Sequence, residues 1–293
     1  MTKTVFLDKP ADFSFRHTIY SHGWCDLPPF VIDEQNWQLD YVFTCKRSGN
    51  SVGAKLSELD GKIKIDLDGS NIDKAGLLKD IRHVLRIDDD LSAFYHLAKK
   101  DENLAWVTGI NAGRLLRSPT VFEDLVKTIC TTNCSWALTK NMVTNLVEKL
   151  GEPSKNGKKA FPTAEAMASV DSDFYRDEIR AGYRSPYFVE LAEKVRSGEL
   201  DVESWLTTDK TTPELKNEMK NVKGVGDYAA ETMLKMLGRY DGLALDSWLR
   251  AQFYKKHKNG RKCKDTVIEK HYKKYGEWKG LALWCDMTER WFA

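Results

Sequence analysis

One carboxylate follows a glycine-containing turn in the C-terminal third of the chain. Residues 214–221 and 227–237 have helical patterns, and the five residues 222–226 (VKGVG) separate them. Glycine adopts positive φ and permits close backbone approach, so this stretch predicts two helices joined by a tight turn. An apolar run then delivers Asp246 to the predicted start of a further helix, where the helix dipole favours the ionised acid. Such a carboxylate can stabilise a developing positive charge or orient a water molecule.

The predicted start of the second hairpin helix can bind a phosphate group. The first N–H groups of a helix have no partner within the helix, and the helix dipole favours an anion there. We expect Asp227 to cap this helix and Gly238 to end it.

Length and composition are those of an ordinary globular protein. The chain has 293 residues, of which 42% are hydrophobic, enough to build a core. The net charge of +2 from 45 basic and 43 acidic residues gives no overall nucleic-acid signal, so any basic face must be local. No apolar run reaches the length of a membrane span. The six cysteines show no CxxC spacing and are interpreted as reduced thiols of an intracellular protein.

The hydrophobic period changes along the chain. Alternating apolar and polar residues predict strands at 13–19, 37–43 and 62–67, which would form an antiparallel sheet. From about residue 74 onward the apolar residues recur at helical spacing. The sequence therefore predicts an α+β protein that is mainly α.

Three segments resemble the helix-hairpin-helix (HhH-GPD) superfamily of DNA glycosylases. They are the GVG hairpin followed by an apolar run and an aspartate, the segment TICTTNCSWA and the segment AGYRSPYF. Their order and spacing are similar to those of the 3-methyladenine DNA glycosylase II and 8-oxoguanine DNA glycosylase branches, over residues 75–293. The resemblance implies an N-terminal antiparallel sheet domain at residues 1–113, with linking helices. A two-lobed helical domain at 114–293 would follow, with its hairpin at 214–238.

The resemblance also implies an activity and a partner. The expected function is a monofunctional DNA glycosylase of base excision repair, which flips a damaged purine, alkylated or oxidised, and hydrolyses its N-glycosidic bond. The expected partner is double-stranded DNA that contains a damaged base. The protein is expected to act as a monomer, and no membrane is expected as a partner. Two alternatives stay open. One is a bifunctional 8-oxoguanine glycosylase/lyase, and the other is a noncatalytic DNA-binding protein that uses the hairpin alone.

Individual roles follow from the matching positions. The resemblance implies that Asp246 is the catalytic acid. The DNA contacts implied are Asn133, Arg184, Lys223, Gly224, Gly226 and Asp227. The base-pocket residues implied are Tyr228, Trp284 and Trp24. Plainer interpretations compete: a helix-capping aspartate, a turn asparagine, an arginine in a surface ion pair and tryptophans of the core. Bifunctional relatives carry a lysine where this chain has Tyr228, and tyrosine cannot form an imine.

The expected cofactors are few. The resemblance implies that none is required, and that the carbonyl groups of Lys220, Val222 and Val225 can hold Na⁺ or K⁺. Some relatives have a four-cysteine iron–sulfur cluster after the catalytic helix, but only Cys263 and Cys285 follow it here, so that cluster is not expected. The N-terminus has no signal-peptide pattern, so we expect a cytoplasmic or nucleoid protein in a bacterium, or a nuclear one in a eukaryote.

Overall fold

The computed structural model describes residues 2–45, 49–69 and 72–292. The strands are β1 (Thr2–Asp8), β2 (Val31–Asp33), β3 (Gln38–Thr44), β4 (Ser51–Leu59) and β5 (Lys62–Asp68). The helices are α1 (Phe15–Ile19), α2 (Lys74–Val84), α3 (Ser92–Ala98), α4 (Ala105–Gly109), α5 (Val121–Thr131), α6 (Trp136–Leu150), α7 (Ala164–Ala168), α8 (Ser172–Asp177), α9 (Ser185–Ser197), α10 (Thr212–Met219), α11 (Asp227–Met236), α12 (Ser247–His257), α13 (Asp265–Tyr272) and α14 (Lys279–Thr288). None of the helices within the described residues has the length and apolar content needed to cross a bilayer.

The chain forms two compact units that are interleaved in sequence. The first contains the residues up to Asp88 together with Arg114–Thr207, and the second contains Asp89–Gly113 together with the residues from Thr208 onward. The chain passes between the units near residue 113, where the sequence predicted a domain boundary. The sheet and helices α5–α9 lie in the same unit. The predicted division into domains 1–113 and 114–293 stays a prediction.

The first unit contains the predicted antiparallel sheet. Its strand order is β1-β5-β4-β3-β2, and every neighbouring pair is antiparallel. Alternate residues of β5 (Ile63, Ile65 and Leu67) are buried, because successive side chains of a strand point to opposite faces. The strands predicted at 37–43 and 62–67 are confirmed as β3 and β5.

The strand predicted at 13–19 is wrong, because this segment forms helix α1. The Ser14 hydroxyl caps the helix by accepting from the backbone N–H of His17 at 3.5 Å. Phe15, Thr18 and Ile19 are buried together, which is the i, i+3, i+4 spacing of a helix face. A segment of seven residues is too short for alternation alone to distinguish the period of a strand from that of a helix.

A buried ion pair lies within helix α5, and the Tyr41 hydroxyl links it to the sheet of the first unit. The ammonium of Lys127 lies 2.6 Å from a carboxylate oxygen of Glu123, and both side chains are almost wholly buried. Glu123 also accepts from the Tyr41 hydroxyl of β3 at 2.5 Å. Burial and the Glu123 charge raise the pKa of Tyr41 well above its ordinary value. The carboxylate therefore has a cation and a hydroxyl donor in place of water.

We expect Lys127→Met to destabilise the protein by about 3–5 kcal/mol, because it leaves the Glu123 carboxylate buried without its cation. Urea unfolding at pH 7 measures this change. Lys149→Met is the matched control, since Lys149 pairs with Glu178 where both side chains are exposed. That control should cost at most about 0.5 kcal/mol. Equal costs for the two variants would contradict a stabilising role for the buried pair.

Candidate nucleic-acid interface and catalytic acid

The predicted hairpin of the second unit is present. Helix α10 ends at Met219, and the Val225 N–H donates to the Val222 carbonyl at 3.0 Å to close the turn. Gly224 has φ of +88°, a conformation that glycine adopts without strain. Gly226 is the N-cap of α11, and no side chain of the described residues caps this helix. An external acceptor can therefore approach the start of α11.

The prediction that Asp227 caps α11 is wrong. Asp227 is the first residue inside the helix, and its carboxylate lies 3.0 Å from the Lys220 ammonium and 3.2 Å from that of Lys216. The Lys220 hydrogen bond and the charge of Lys216 lower the Asp227 pKa. Asp227 pairs with these two lysines instead of capping the helix, because the turn brings the end of α10 beside the start of α11. They also place positive charge next to the open helix N-terminus.

The carbonyl groups predicted to hold Na⁺ or K⁺ lie at the end of α10 and in the turn. Lys220 is the C-cap of α10, where the helix dipole is negative. Carbonyl oxygens are also the donor type that hard cations prefer. The Val222 carbonyl has one partner, Val225 N–H, and a carbonyl oxygen has two lone pairs. The residues fit such an ion, and the site stays a prediction.

Asp246 caps helix α12, as the sequence predicted. Its Oδ1 accepts from the Leu249 N–H at 2.7 Å, and its backbone is extended. The side chain is half-buried. The cap uses one carboxylate oxygen, so the other oxygen is available to point away from the helix. The acid is thus fixed in direction by a backbone hydrogen bond rather than by a flexible side-chain contact.

The loop that leads to Asp246 is held by residues of α11. Glu231 accepts from the Ala244 N–H at 2.6 Å and also contacts the Lys216 ammonium at 2.7 Å. One turn further along α11, the Lys235 ammonium donates to the Leu243 carbonyl at 3.4 Å. Ala244 has φ of +48°, which is unfavourable for a residue with a side chain. Both contacts hold the peptide group between Leu243 and Ala244, which leads into this strained residue.

The start of helix α14 fixes the other end of the same loop. The Gly280 N–H donates to the Tyr240 carbonyl at 2.7 Å. A Cβ atom at residue 280 would lie 2.0 Å from the Gly242 carbonyl oxygen, so only glycine permits this approach. The backbone of α14 therefore packs directly on the loop that carries Asp246.

Lys235 is a buried amine to which the sequence analysis assigned no role. Its side chain is 5% exposed, and its ammonium lies 5.5 Å from the centre of the Trp284 ring. Burial lowers the pKa of Lys235 to about 8, although the charges of Asp246 and Glu231 oppose the shift. Its position seven residues after Tyr228, on the same face of α11, was the available signal.

Tryptophan side chains cluster around the expected stacking residue. Trp284 is half-buried, and its ring centre lies 6.1 Å from that of Trp248 and 5.6 Å from that of Trp291. Trp248 follows Asp246 by two residues on α12. The sequence analysis singled out only Trp284 of these three. Tyr228, the other expected pocket residue of this unit, is half-buried in the first turn of α11.

In the first unit the structure brings Asn133 and Arg184 to the same turn. Asn133 is exposed between α5 and α6 with φ of +47°, a conformation that asparagine tolerates better than most residues. Arg184 is 5% exposed. Its guanidinium donates to the Ile129 carbonyl at 3.1 Å and also to the Thr132 carbonyl. Arg184 thus holds the turn that carries Asn133, and its expected contact with a base stays a prediction.

Trp24, the third expected pocket residue, lies in the core of the first unit. It is 5% exposed, and its indole N–H donates to Asp124 Oδ1 at 2.7 Å. Burial raises the pKa of Asp124 to about 6. This burial agrees with the plainer interpretation of Trp24, which is a tryptophan of the core. Its role in a base pocket stays a prediction.

Comparison with known proteins gives one curated relative and several structures. No family model matches the chain. A DNA-3-methyladenine glycosylase of Bacillus subtilis (strain 168) is 28% identical over 168 residues, which are 56% of this chain and 55% of that protein. The chain therefore matches about half the length of this relative.

Solved structures of DNA glycosylases match nearly the whole chain. A 3-methyladenine DNA glycosylase from Archaeoglobus fulgidus has a TM-score of 0.78 at 18% identity, with 99% of each chain covered. MBOgg1, solved with a low-affinity DNA ligand, has a TM-score of 0.78 at 21% identity, covering 99% of this chain and 96% of its own. An 8-oxoguanine glycosylase/lyase from Clostridium acetobutylicum has a TM-score of 0.75 at 18% identity, covering 98% and 97%.

The chain has the fold of the helix-hairpin-helix DNA glycosylases. The resemblance predicted from the hairpin and Asp246 is confirmed, and so is the α+β, mainly α, fold class.

We expect the stability difference between the wild type and Lys235→Met to depend on pH. The Lys235 pKa of about 8 lies below its ordinary value of 10.5, so the folded state binds this proton more weakly than the unfolded state. The wild type should therefore gain roughly 3 kcal/mol relative to the variant as the pH rises from about 8 to 10.5. Urea unfolding of both proteins at pH 7, 8.5 and 10 measures this gain. A difference that stays constant over this range would show that the amine is not desolvated.

Proposed function

We propose that the protein is a DNA glycosylase that hydrolyses the N-glycosidic bond of a damaged purine. The observation that carries this proposal is the pairing, within one unit, of the uncapped N-terminus of α11 with Asp246 at the start of α12. The first can bind a DNA phosphate, and the second can act on the sugar. The DNA-3-methyladenine glycosylase activity named for the Bacillus subtilis relative supports the same reaction class.

Double-stranded DNA is the proposed partner. Exposed Lys223 and the glycine backbone at 224 and 226 would contact a phosphate, with Lys216 and Lys220 offsetting the Asp227 charge. A base within a duplex must be flipped out before its sugar can be reached. Exposed Asn133, at the tip of a turn held by Arg184, would fill the gap that the flipped base leaves.

The reaction requires an anion near the sugar and a water molecule. Cleavage of a glycosidic bond develops positive charge on the sugar, and a fixed carboxylate stabilises it. Asp246 would supply that charge and orient the water that attacks C1′, while the base leaves with the bonding electrons. Tyr228 stands where bifunctional relatives have their lysine, which supports hydrolysis without a covalent intermediate. The product would be an intact abasic site.

An alkylated or oxidised purine is the proposed substrate class. The tryptophans around Trp284 offer flat apolar surfaces on which a purine can stack. Proteins of similar fold include ones named for 3-methyladenine and ones named for 8-oxoguanine. A set of duplexes that each carry one lesion would identify the base, and it also separates a glycosylase from a protein that only binds DNA.

Asp246→Asn should reduce base excision about 100-fold or more while DNA binding is retained. Asparagine also caps helices, so α12 should still form. Single-turnover excision on the best duplex of the lesion set measures the loss, and a binding titration on the same duplex measures affinity.

Asp171→Asn is the matched control for Asp246→Asn. Asp171 caps α8 through a 2.9 Å hydrogen bond from the Phe174 N–H, so the control tests the cost of changing a capping aspartate in general. Excision by Asp246→Asn at the rate of this control would rule out Asp246 as the catalytic acid. Absence of excision by the wild type on every lesion would favour the noncatalytic alternative.

Gly226→Ala should weaken DNA affinity about tenfold, or about 1.4 kcal/mol. A Cβ atom at residue 226 would meet no atom of the protein within 4 Å, and the backbone φ of −92° suits alanine. The methyl group would therefore interfere with a bound phosphate and not with folding. Gly109→Ala, which also adds its methyl group into open space, is the control. Equal affinity for both variants and the wild type at fixed salt would argue against the phosphate site.

Borohydride should trap no covalent adduct between the protein and DNA, and strands should break only after alkali treatment. Tyrosine has no amine, so Tyr228 cannot form an imine with the sugar. A trapped adduct would instead support the bifunctional alternative. Because Lys235 lies two turns after Tyr228 and its pKa is lowered by burial, Lys235→Met should then be tested first. Loss of the adduct in that variant would identify the amine.

A further inference from the structure

Three side chains with metal-ligand atoms meet in the second unit, away from the residues assigned to the reaction. They are His257 at the end of α12, His271 on α13 and Asp286 on α14. Their ligand atoms all lie within 4.8 Å of one another. The Nε2 atom of His257 is 2.6 Å from Asp286 Oδ2, and the two imidazole rings have centres 4.4 Å apart.

The carboxylate of this cluster is buried. Asp286 is 3% exposed, and its Oδ1 atom receives no hydrogen bond of acceptable geometry within the described residues. The Lys256 ammonium lies 2.7 Å from this oxygen as an ion-pair partner. A buried carboxylate oxygen that makes a charge contact without a directed hydrogen bond is costly, and it can accept a cation ligand bond.

We propose that His257, His271 and Asp286 form a binding site for a divalent transition-metal ion of borderline softness, with Zn²⁺ as the best fit. Imidazole and carboxylate groups together are ligands of such ions. Zinc–nitrogen bonds of 2.0–2.1 Å place neighbouring ligand atoms about 3.3 Å apart in a tetrahedral site. The ligand atoms lie within 4.8 Å of one another, so side-chain movements of at most about 1.5 Å reach that geometry.

The surrounding residues suit such a site. The Tyr272 hydroxyl donates to Asp286 Oδ2. This hydrogen bond orients the carboxylate, as residues that contact the ligands do in metal sites. Lys256 does not depend on Asp286 Oδ1, because its ammonium also contacts Glu289 at 2.7 Å and the Asp286 carbonyl at 3.0 Å. The ammonium can therefore stay in place while the ion takes the carboxylate oxygen.

The position of the cluster indicates a structural role. The ion would connect the C-terminal end of α12 with α13 and α14. Asp246 lies at the other end of α12, and eleven helical residues span about 16 Å. Three protein ligands would leave one position for water. Binding should therefore stabilise the second unit, and the site does not depend on the proposed excision activity.

Metal binding can be tested directly on the full-length protein without a histidine tag, after dialysis against a chelator. Titration calorimetry with Zn²⁺ should give one ion per chain, and Co²⁺ should give the visible absorption of a low-coordinate site. The melting temperature should rise with Zn²⁺ concentration. His257→Gln and His271→Gln should each weaken binding at least tenfold. His96→Gln, an exposed histidine on α3 of the same unit, should bind as the wild type does.

The outcomes separate the proposal from its competitors. Absence of saturable binding of Zn²⁺ and Co²⁺ by the wild type would overturn it and leave a hydrogen-bonded carboxylate–imidazole network. Binding that survives both cluster variants would also overturn it, and would point to the partly exposed thiols of Cys134 and Cys263. Circular dichroism of each variant checks the fold, and Asp286→Asn provides a third test that leaves both histidines in place.

Discussion

The attachment of the loop before Asp246 to helix α11 is the constraint on which the candidate site depends. Glu231 holds the Ala244 N–H, and Lys235 holds the Leu243 carbonyl. Both contacts are to the peptide group that precedes Ala244, and they offset the unfavourable positive φ of that residue. The loop then ends in the cap of α12, so the direction of the Asp246 carboxylate follows from the contacts of α11. Because α11 also begins at the hairpin turn, one helix positions both the end that is proposed to bind phosphate and the Asp246 carboxylate.

Buried charge accompanies this arrangement. Lys235 is desolvated beside Trp284, and the pKa of about 8 expresses the cost of keeping its cation there. Lys127 of the first unit is also buried, but its ammonium has a close counter-ion. A carboxylate oxygen of Glu123 lies 2.6 Å from it. A charge with a close counter-ion supports the core, whereas burial of the Lys235 ammonium lowers its pKa to about 8, so a larger fraction of this amine is neutral near physiological pH.

The exposed turn between α5 and α6 in the first unit is also held in place by a buried side chain. Arg184 is buried and donates to the carbonyl groups of Ile129 and Thr132, the residues that lead into Asn133. An asparagine at the tip of an unsupported turn would move freely, and its side chain would contribute little to the proposed filling of a gap in DNA. The guanidinium satisfies these carbonyl groups where α5 ends, so the tip keeps one conformation.

Local signals in the sequence determined the sheet strands β3 and β5, the hairpin and the position of Asp246 at the start of α12. Alternation, glycine turns and capping residues act over a few neighbouring residues, so they can be predicted without a structure. The short α1 was mistaken for a strand because the seven residues 13–19 that contain it fit both periods. Tertiary structure decided the rest: that Asp227 pairs with Lys216 and Lys220, that Arg184 is buried, and that Lys235 becomes a desolvated amine. Those outcomes depend on partners far along the chain and on burial, which no local pattern encodes.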